Sequence, residues 1–295
     1  MHLNKKSKRL TATDLIFYII SVLIIILIAY PLWFVIIASF SNPVDITNGE
    51  VWFLPKKWEL SGYRELFKQR QIWISYLNTI VYTLVGTFIA LAVNIPAGYA
   101  MSRKDLVGRK WINIFYLIPM FVGGGLIPTY FVVKWFGLLD SFWVMVLPFS
   151  VSTYNIIVAK TFFRSSLPES LWDAAQIDGC GTLRYFFQFA LPLSKSVLAV
   201  IGLWTAVGLW NSWFNALIYL NKEVLQPLQL LLRRILISNL SLLGAATGSM
   251  AQELSRLSDM MKYAAIVIST LPIMCLYPFL QKYFNKGVMI GAIKE

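Results

Sequence analysis

Six long apolar stretches, separated by polar connections, dominate the chain. A helix needs about 20 apolar residues to cross a bilayer, so each stretch predicts a membrane-spanning helix. The pattern therefore predicts an all-α integral membrane protein with six transmembrane helices in a domain over residues 14–284, between an N-terminal tail, 1–13, and a C-terminal tail, 285–295. The predicted spans cover roughly residues 14–38, 72–101, 111–133, 142–163, 194–217 and 263–283.

Composition supports this class and excludes several others. Apolar residues make up 58% of the 295 positions and charged residues only 14%, whereas about 25% of a soluble domain is charged. The chain has one histidine, His2, and two cysteines, Cys180 and Cys275. Neither a metal-ligand spacing nor a phosphate-binding glycine loop is present. We therefore expect no catalytic residue, no metal and no cofactor bound by this chain.

Basic residues predict the orientation. The net charge of +12 would suit nucleic acid in a soluble protein, but here Lys and Arg lie mostly between apolar stretches, so no nucleic-acid partner is expected. They are denser in the N-terminal tail, the connections after spans two and four, and the C-terminal tail than in the other connections. The positive-inside rule then predicts a multi-pass plasma-membrane protein with both termini in the cytoplasm.

One inner connection, residues 164–192, has the pattern of a short helix, a turn and a second short helix. Ser166 and Glu169 have the spacing of a capping box, and Gly179 and Gly181 are suited to ending the first helix. Such a helix could dock into a cytoplasmic motor or simply rest on the lipid headgroups, and its pattern alone leaves both open. Its less polar surface is predicted to comprise Leu171, Trp172, Ala174, Ala175 and Ile177.

A longer motif in this segment points to a family. Asp173-Ala174-Ala175, then Gly179, then Leu191-Pro192 resembles the EAA signature of binding-protein-dependent ABC importer permeases, with Asp in place of the usual Glu. The resemblance implies a MetI-like permease fold with a cytoplasmic coupling helix between helices four and five. Carried over, the residues that couple the permease to the ATPase are Glu169, Asp173, Ala174, Ala175, Asp178 and Gly179. For Asp178, a solvated position at the helix end is the alternative.

Further segments resemble the carbohydrate-type, MalG-like permeases, among them the stretch from Pro96 to Arg103. The segment 226–236 resembles the LplC and YtcP branch of Gram-positive bacteria. The resemblance implies an oligosaccharide substrate, a second, MalF-like permease subunit in a heterodimer, an extracellular solute-binding lipoprotein, and an ATPase subunit dimer that uses ATP and Mg. It also implies that the tail 285–295 reaches the ATPase and that the outer segment 218–262 contacts the binding protein, for which a simple surface lid is the alternative.

Polar residues within the predicted spans are candidates for a translocation pathway, because polar groups are costly in lipid and usually face the bundle interior. Asn211 and Asn215 are four residues apart, which would place them on one helical face. The alternative is that these side chains form helix–helix hydrogen bonds and an interfacial belt. The candidates are Asn94, Asn155, Trp204, Trp210, Asn211 and Asn215.

Two other functions remain open at this point. One is a permease of the same family for another solute class. The other is an ion-coupled secondary transporter, which would require carboxylates in the middle of the spans, and Asp14 is the only carboxylate near such a position.

Overall fold

The computed structural model describes residues 11–245, 261–275 and 278. Apart from one isolated antiparallel bridge between Ser41 and Trp58, these residues form helices and connections. Phe186–Ala190 is a π-helical turn within the helix Thr182–Leu193. In chain order, the helices are α1 (Ala12–Ser39), α2 (Pro43–Thr47), α3 (Ser61–Lys68), α4 (Arg70–Ser102), α5 (Arg109–Phe121), α6 (Leu126–Trp135), α7 (Trp143–Val146), α8 (Thr153–Ser166), α9 (Glu169–Ile177), α10 (Thr182–Leu193), α11 (Lys195–Trp210), α12 (Trp213–Tyr219), α13 (Leu228–Ala245) and α14 (Met261–Cys275).

Two helices among the described residues, α1 and α4, are each long and apolar enough to cross a membrane. They match the first two predicted spans. Apolar side chains are exposed all along the first two thirds of α1. A helix that is apolar on every side is suited to contact with lipid or other membrane helices rather than water.

The third predicted span, 111–133, does not form one straight helix. It is divided into α5 and α6, and the chain bends by 117° between these two helices. α5 ends at Phe121, three consecutive glycines, 123–125, follow, and Gly125, with a φ of +80°, leads into α6. Counted as one broken span, the pair is long and apolar enough to cross a membrane.

The fourth and fifth predicted spans are also interrupted. Between α7 and α8, the chain leaves the helix over residues 147–152, around Pro148, and α8 restarts where the Ser152 hydroxyl accepts from the Asn155 N–H. At the start of the fifth predicted span, α10 and α11 are separated by a bend of 79° at Ser194, and the span itself is interrupted before α12. Of the sixth predicted span, α14 covers Met261–Cys275, and the rest lies outside the described residues apart from residue 278.

The chain divides into two compact units, Met1–Lys68 with Ile235–Ile268, and Gln69–Arg234 with Ser269–Glu295. In the first unit, the end of α1 is joined to the polar segment that follows it. Tyr63 donates its hydroxyl proton to Ser39 Oγ at 2.8 Å, and the indole N–H of Trp33 donates to the Phe53 carbonyl at 3.0 Å. All the candidate site residues lie in the second unit.

In the second unit, α4 packs against both α8 and α11. Small and polar residues recur along its buried face, including Gly86, Asn94 and Gly98. Small residues let membrane helices approach closely. A Cβ added to Gly98 would lie 2.5 Å from the Ala159 Cβ, so α4 and α8 are nearly in backbone contact there.

Candidate functional site

The helix α9 lies within the predicted coupling segment, but it does not begin as expected. The predicted capping box is wrong, because α8 continues through Ser166 and the Ser166 Oγ has no hydrogen-bond partner among the residues that the structure describes. Instead, α9 starts directly after Pro168, whose extended backbone leads into the helix. Glu169 is thereby left to form an ion pair with another segment.

The end of α9 has the geometry of a Schellman motif. The Gly179 N–H donates to the Gln176 carbonyl and the Cys180 N–H to the Ala175 carbonyl, both at 2.9 Å. Gly179 has a φ of +72°, a conformation in which residues with a Cβ are strained. The prediction that Gly179 ends the helix agrees with this geometry, whereas Gly181 is extended and begins α10 instead.

The inner face of α9 packs against aromatic rings of neighbouring segments. Trp172 and Ala175 are buried, and the Trp172 ring meets the Tyr185 ring edge-on at 4.9 Å. Tyr99, from the end of α4, stacks on Tyr185 at 6.4 Å and packs against Phe186 at 4.9 Å. The helix α9 is therefore packed onto the end of α4 and the start of α10.

Two basic residues that follow the helix α4 strengthen this attachment. The Arg103 guanidinium lies 4.0 Å from the centroid of the Trp172 ring, and Lys104 Nζ lies 2.7 Å from Glu169 Oε2. The Arg103 hydrogen bond also lowers the pKa of Asp105. Sequence reasoning missed Arg103 and Lys104 as site residues, because they are some 65 positions from α9. The one available signal was their position immediately after an apolar span.

The outer face of α9 is open. Asp173, Ala174 and Asp178 are exposed, and the Ile177 side chain is 87% exposed. Of the five residues predicted to form the less polar surface, Trp172 and Ala175 are buried and Leu171 is half-buried, whereas Ala174 and Ile177 are exposed.

A cavity of about 760 Å³ lies between the end of α4 and α9. Its wall includes three basic and three acidic side chains along with aromatic rings. The charged residues are Arg103, Lys104, Arg164, Asp105, Glu169 and Asp173.

Among the pathway candidates, Asn94 is fully buried and completely used in structural hydrogen bonds. Its Nδ2 donates to the Ala90 carbonyl at 2.6 Å and to the Ser150 carbonyl at 2.7 Å, and its Oδ1 accepts from the Ser152 N–H at 2.9 Å. Asn94 thus forms hydrogen bonds with backbone groups that the break before α8 would otherwise leave without partners.

Trp210 and Asn211 also serve the local structure. The Trp210 indole N–H donates to the Ser269 carbonyl at 2.9 Å, and Asn211 donates to the Val207 carbonyl within α11. The prediction that Asn211 and Asn215 share one helical face is wrong, because the helix is interrupted at residues 211–212, so that Asn211 follows the end of α11 and Asn215 lies in α12.

The other three candidates come together. Asn155 from α8, Trp204 from α11 and Asn215 from α12 line one cavity of about 380 Å³. Asn155 Nδ2 donates to Thr205 Oγ1 at 3.4 Å, and the Trp204 ring packs against Tyr154 at 5.5 Å.

At the other end of α4, side chains hold the connection after α12. Tyr82 donates to the Leu225 carbonyl at 2.8 Å, and Asn78 Nδ2 donates to the Val224 carbonyl at 2.7 Å. Asp140 accepts from the backbone N–H groups of Asn221 and Lys222, and these bonds lower its pKa. The predicted outer segment is therefore firmly attached up to the start of α13.

Within the described residues, no group of three or more His, Cys, Asp or Glu side chains could hold a metal ion. Cys180 is buried and Cys275 is exposed, and neither forms a disulfide.

Comparison with known proteins identifies the family. The family model described as "Binding-protein-dependent transport system inner membrane component" matches residues 83–290, and the chain belongs to this family. It has the MetI-like ABC permease fold and is a transport subunit rather than an enzyme.

Two relatives from Bacillus subtilis (strain 168) align over most of their length. Protein LplC is 39% identical over 264 residues, which cover 90% of this chain and 88% of that protein. The polygalacturonan/rhamnogalacturonan transport system permease protein YtcP is 35% identical over 285 residues, 95% of this chain and 98% of that protein. The resemblance of the sequence to the LplC and YtcP branch is confirmed.

A solved structure shares the fold. A chain in the crystal structure of a bacterial ABC transporter involved in the import of the acidic polysaccharide alginate superposes with a TM-score of 0.83 at 29% identity. The match covers 94% of this chain and 100% of that one.

Proposed function

We propose that this chain is one of two permease subunits of an ATP-driven importer that carries an oligosaccharide across a bacterial plasma membrane. The related permeases named for their substrates handle polygalacturonan and rhamnogalacturonan, arabinooligosaccharides or maltodextrin. They support a carbohydrate as the solute class. In this proposal the chain crosses the membrane six times, the bent helix pairs counting as single spans, within a domain over residues 14–284.

The helix α9 is the proposed coupling helix, and the attachment of its inner face is the observation that carries this role. Arg103 and Lys104 join α9 to the end of α4 at Trp172 and Glu169, while Asp173, Ala174 and Asp178 remain open for a partner. A push on the open face would therefore be passed to α4. Ala175 contributes by packing inward rather than by contacting the ATPase.

The partners follow from this arrangement. An ATPase dimer would dock at α9 from the cytoplasm and supply ATP and Mg chemistry, a second permease would complete the channel, and a solute-binding lipoprotein would deliver the sugar outside. The orientation with both termini in the cytoplasm rests on the distribution of Lys and Arg. The tails 1–13 and 285–295 lie outside the described residues except for residues 11–13.

Within the membrane domain, we assign Asn155, Trp204 and Asn215 to the translocation pathway. Asn94, Trp210 and Asn211 stabilise the helices around it. The secondary-transporter alternative is not favoured, because in the described part of residues 69–234 no carboxylate is buried. Asp14 accepts from the Thr11 N–H at the start of α1 and is used as a helix cap.

Affinity purification of the tagged chain from its native membrane tests this proposal. Mass spectrometry should find an ATPase, a second permease and a lipoprotein in the eluate. Ala174→Trp adds bulk to the open face of α9 and should release the ATPase while keeping the second permease. The control Asn48→Trp adds the same bulk at an exposed position in the first unit and should release neither. An eluate without an ATPase from the unmodified chain would refute the proposal.

A further inference from the structure

We infer that the 380 Å³ cavity between α8, α11 and α12 is a binding subsite for a neutral sugar unit on its way through the importer. The inference rests on the proposed function and adds the ligand chemistry of one place on this chain. Residues from three helices and from the breaks before α8 and α12 form the wall. It comprises Phe149, Ser152, Tyr154, Asn155, Trp204, Thr205, Gly208, Leu209, Ser212 and Asn215.

The cavity lies where two apolar segments are interrupted. The chain leaves the helix over residues 147–152 just before α8 and at residues 211–212 just before α12, and Ser152 and Ser212 from these breaks reach the cavity wall. Discontinuous helices are a recurrent way for transporters to bring polar groups to a substrate site within an apolar environment. Both interruptions meeting at one cavity therefore point to a ligand.

The wall carries an aromatic surface. The Trp204 and Tyr154 rings lie 5.5 Å apart with 41° between their planes, and both are partly exposed. The C–H faces of a sugar ring are apolar and can pack on such rings, while the ring edges remain available for polar contacts. The pair thus offers a platform for one sugar face.

Amides stand beside this platform. Asn155 donates to Thr205 Oγ1 over 3.4 Å, a long bond that a ligand hydroxyl could replace. The side-chain amide of Asn215 makes no hydrogen bond with any residue that the structure describes. An amide both donates and accepts, as a sugar hydroxyl does. The combination of apolar rings and a few polar groups is typical of small-molecule pockets.

The charge of the wall restricts the ligand. None of the ten lining residues is charged. A carboxylate brought into this cavity would lose its hydration without gaining a cation from this chain, which is costly in an apolar environment. We therefore assign a neutral hexose or pentose unit to the subsite and not a uronate.

Transport by the intact importer in proteoliposomes tests the assignment. The probes are labelled maltotriose, arabinotriose and trigalacturonate, presented with the importer's own binding protein, and the readout is sugar transported per ATP hydrolysed. Trp204→Leu should lower this ratio for a neutral trisaccharide at least tenfold, because the ring platform is lost while ATP turnover continues. Trp204→Phe should retain most of the ratio. The matched control Trp111→Leu, on α5 away from the cavity, should behave as the unmodified chain.

Each other result has a defined meaning. If Trp204→Leu and Trp111→Leu give equal ratios, or if Trp204→Leu loses the ATPase subunit on purification, the ring is structural and the subsite is overturned. If trigalacturonate is transported with the same dependence on Trp204, the neutral-sugar assignment is overturned. If the unmodified importer shows no ATP-dependent uptake of any of the three probes, the oligosaccharide function itself fails and the subsite fails with it.

Discussion

Gly179 closes the helix α9 through a left-handed turn, and the cost of replacing it is conformational rather than steric. A Cβ added there would meet no atom within 4 Å. Gly179→Ala should therefore leave the chain folded in the membrane while straining the turn by about 1–2 kcal/mol. We expect ATP-driven uptake to fall several-fold.

The comparison with Gly179→Asn separates the turn from a general loss of glycine. Asn tolerates the left-handed conformation, so this variant should retain more uptake than Gly179→Ala at equal membrane abundance. Bulky Gly179→Trp should lose most uptake, because it adds volume on the face proposed for the ATPase. Full uptake in both Gly179→Ala and Gly179→Trp would exclude a coupling role for this turn.

Asp140 provides a pH-dependent test at the opposite end of α4. The Asn221 and Lys222 N–H groups donate to its carboxylate and lower its pKa. A carboxyl with a depressed folded pKa contributes its stabilisation above its unfolded pKa, about 3.9, and loses it as the pH falls through the lower folded value. Protection of the amides of residues 221 and 222 should therefore persist from pH 7 to pH 5 and disappear below about pH 3.9.

Hydrogen exchange followed by mass spectrometry, corrected for the intrinsic pH dependence of exchange, measures this protection. Asp140→Asn provides the control, because its amide does not titrate in this range and its weaker acceptor should give lower protection with no acid transition. Identical acid profiles for the two chains would show that the Asp140 carboxylate does not hold this segment.

At the scale of helices, α4 comes very close to neighbouring residues at two of its glycines, and the atoms that it meets differ in how easily they can move. At Gly98, an added Cβ would lie 2.5 Å from the Ala159 Cβ and 3.0 Å from the Ile156 carbonyl oxygen, neither of which can rotate away. At Gly86, the nearest atom is Leu209 Cδ1 at 2.6 Å, the end of a flexible side chain.

Alanine at these two positions should therefore have different effects. Gly98→Ala forces α4 and α8 apart, and overpacking of this kind costs about 1–3 kcal/mol. Gly86→Ala should be nearly neutral, because Leu209 can move and alanine favours the helix by about 1 kcal/mol. Thermal unfolding in detergent should show a Tm several degrees lower for Gly98→Ala alone. An equal loss in both variants would contradict the close approach of α4 and α8.

Apolar patterning predicted the elements where the helix is continuous and not where it is interrupted. The runs that became α1 and α4 are unbroken over more than 25 residues. Interruptions at 123–125, 147–152 and 211–212 lie inside equally apolar stretches. The first consists of glycines and the third contains neither glycine nor proline. The second contains Pro148 and is held by the tertiary hydrogen bonds of Asn94. Mean hydropathy does not register such bonds.

The site was predictable to the same extent. The motif from Asp173 to Gly179 led to the proposal of a coupling segment, because its residues are adjacent in the chain. Its attachment through Arg103 joins segments far apart in the sequence and could be found only in the fold. Asn94 and Asn155 are the same residue type in similar apolar surroundings, and only their neighbours separate a structural clamp from a cavity wall.

For the whole molecule, the division of labour between subunits leads to one prediction about ATP. The sequence contains no Walker-type phosphate-binding loop, and the open face of α9 is suited to receiving movement rather than producing it. The chain purified without partners should therefore hydrolyse no ATP above a buffer blank. The co-purified assembly should hydrolyse ATP faster when its sugar-loaded binding protein is added.

Removing the ATPase subunit from that assembly by a high-salt wash, with the second permease retained, should abolish the turnover, and adding it back should restore the turnover. The Ala174→Trp assembly provides the matched control, because its blocked α9 face should prevent this restoration although both permeases are present. ATP turnover that stays with this chain after the wash would contradict the assignment of the motor to another polypeptide.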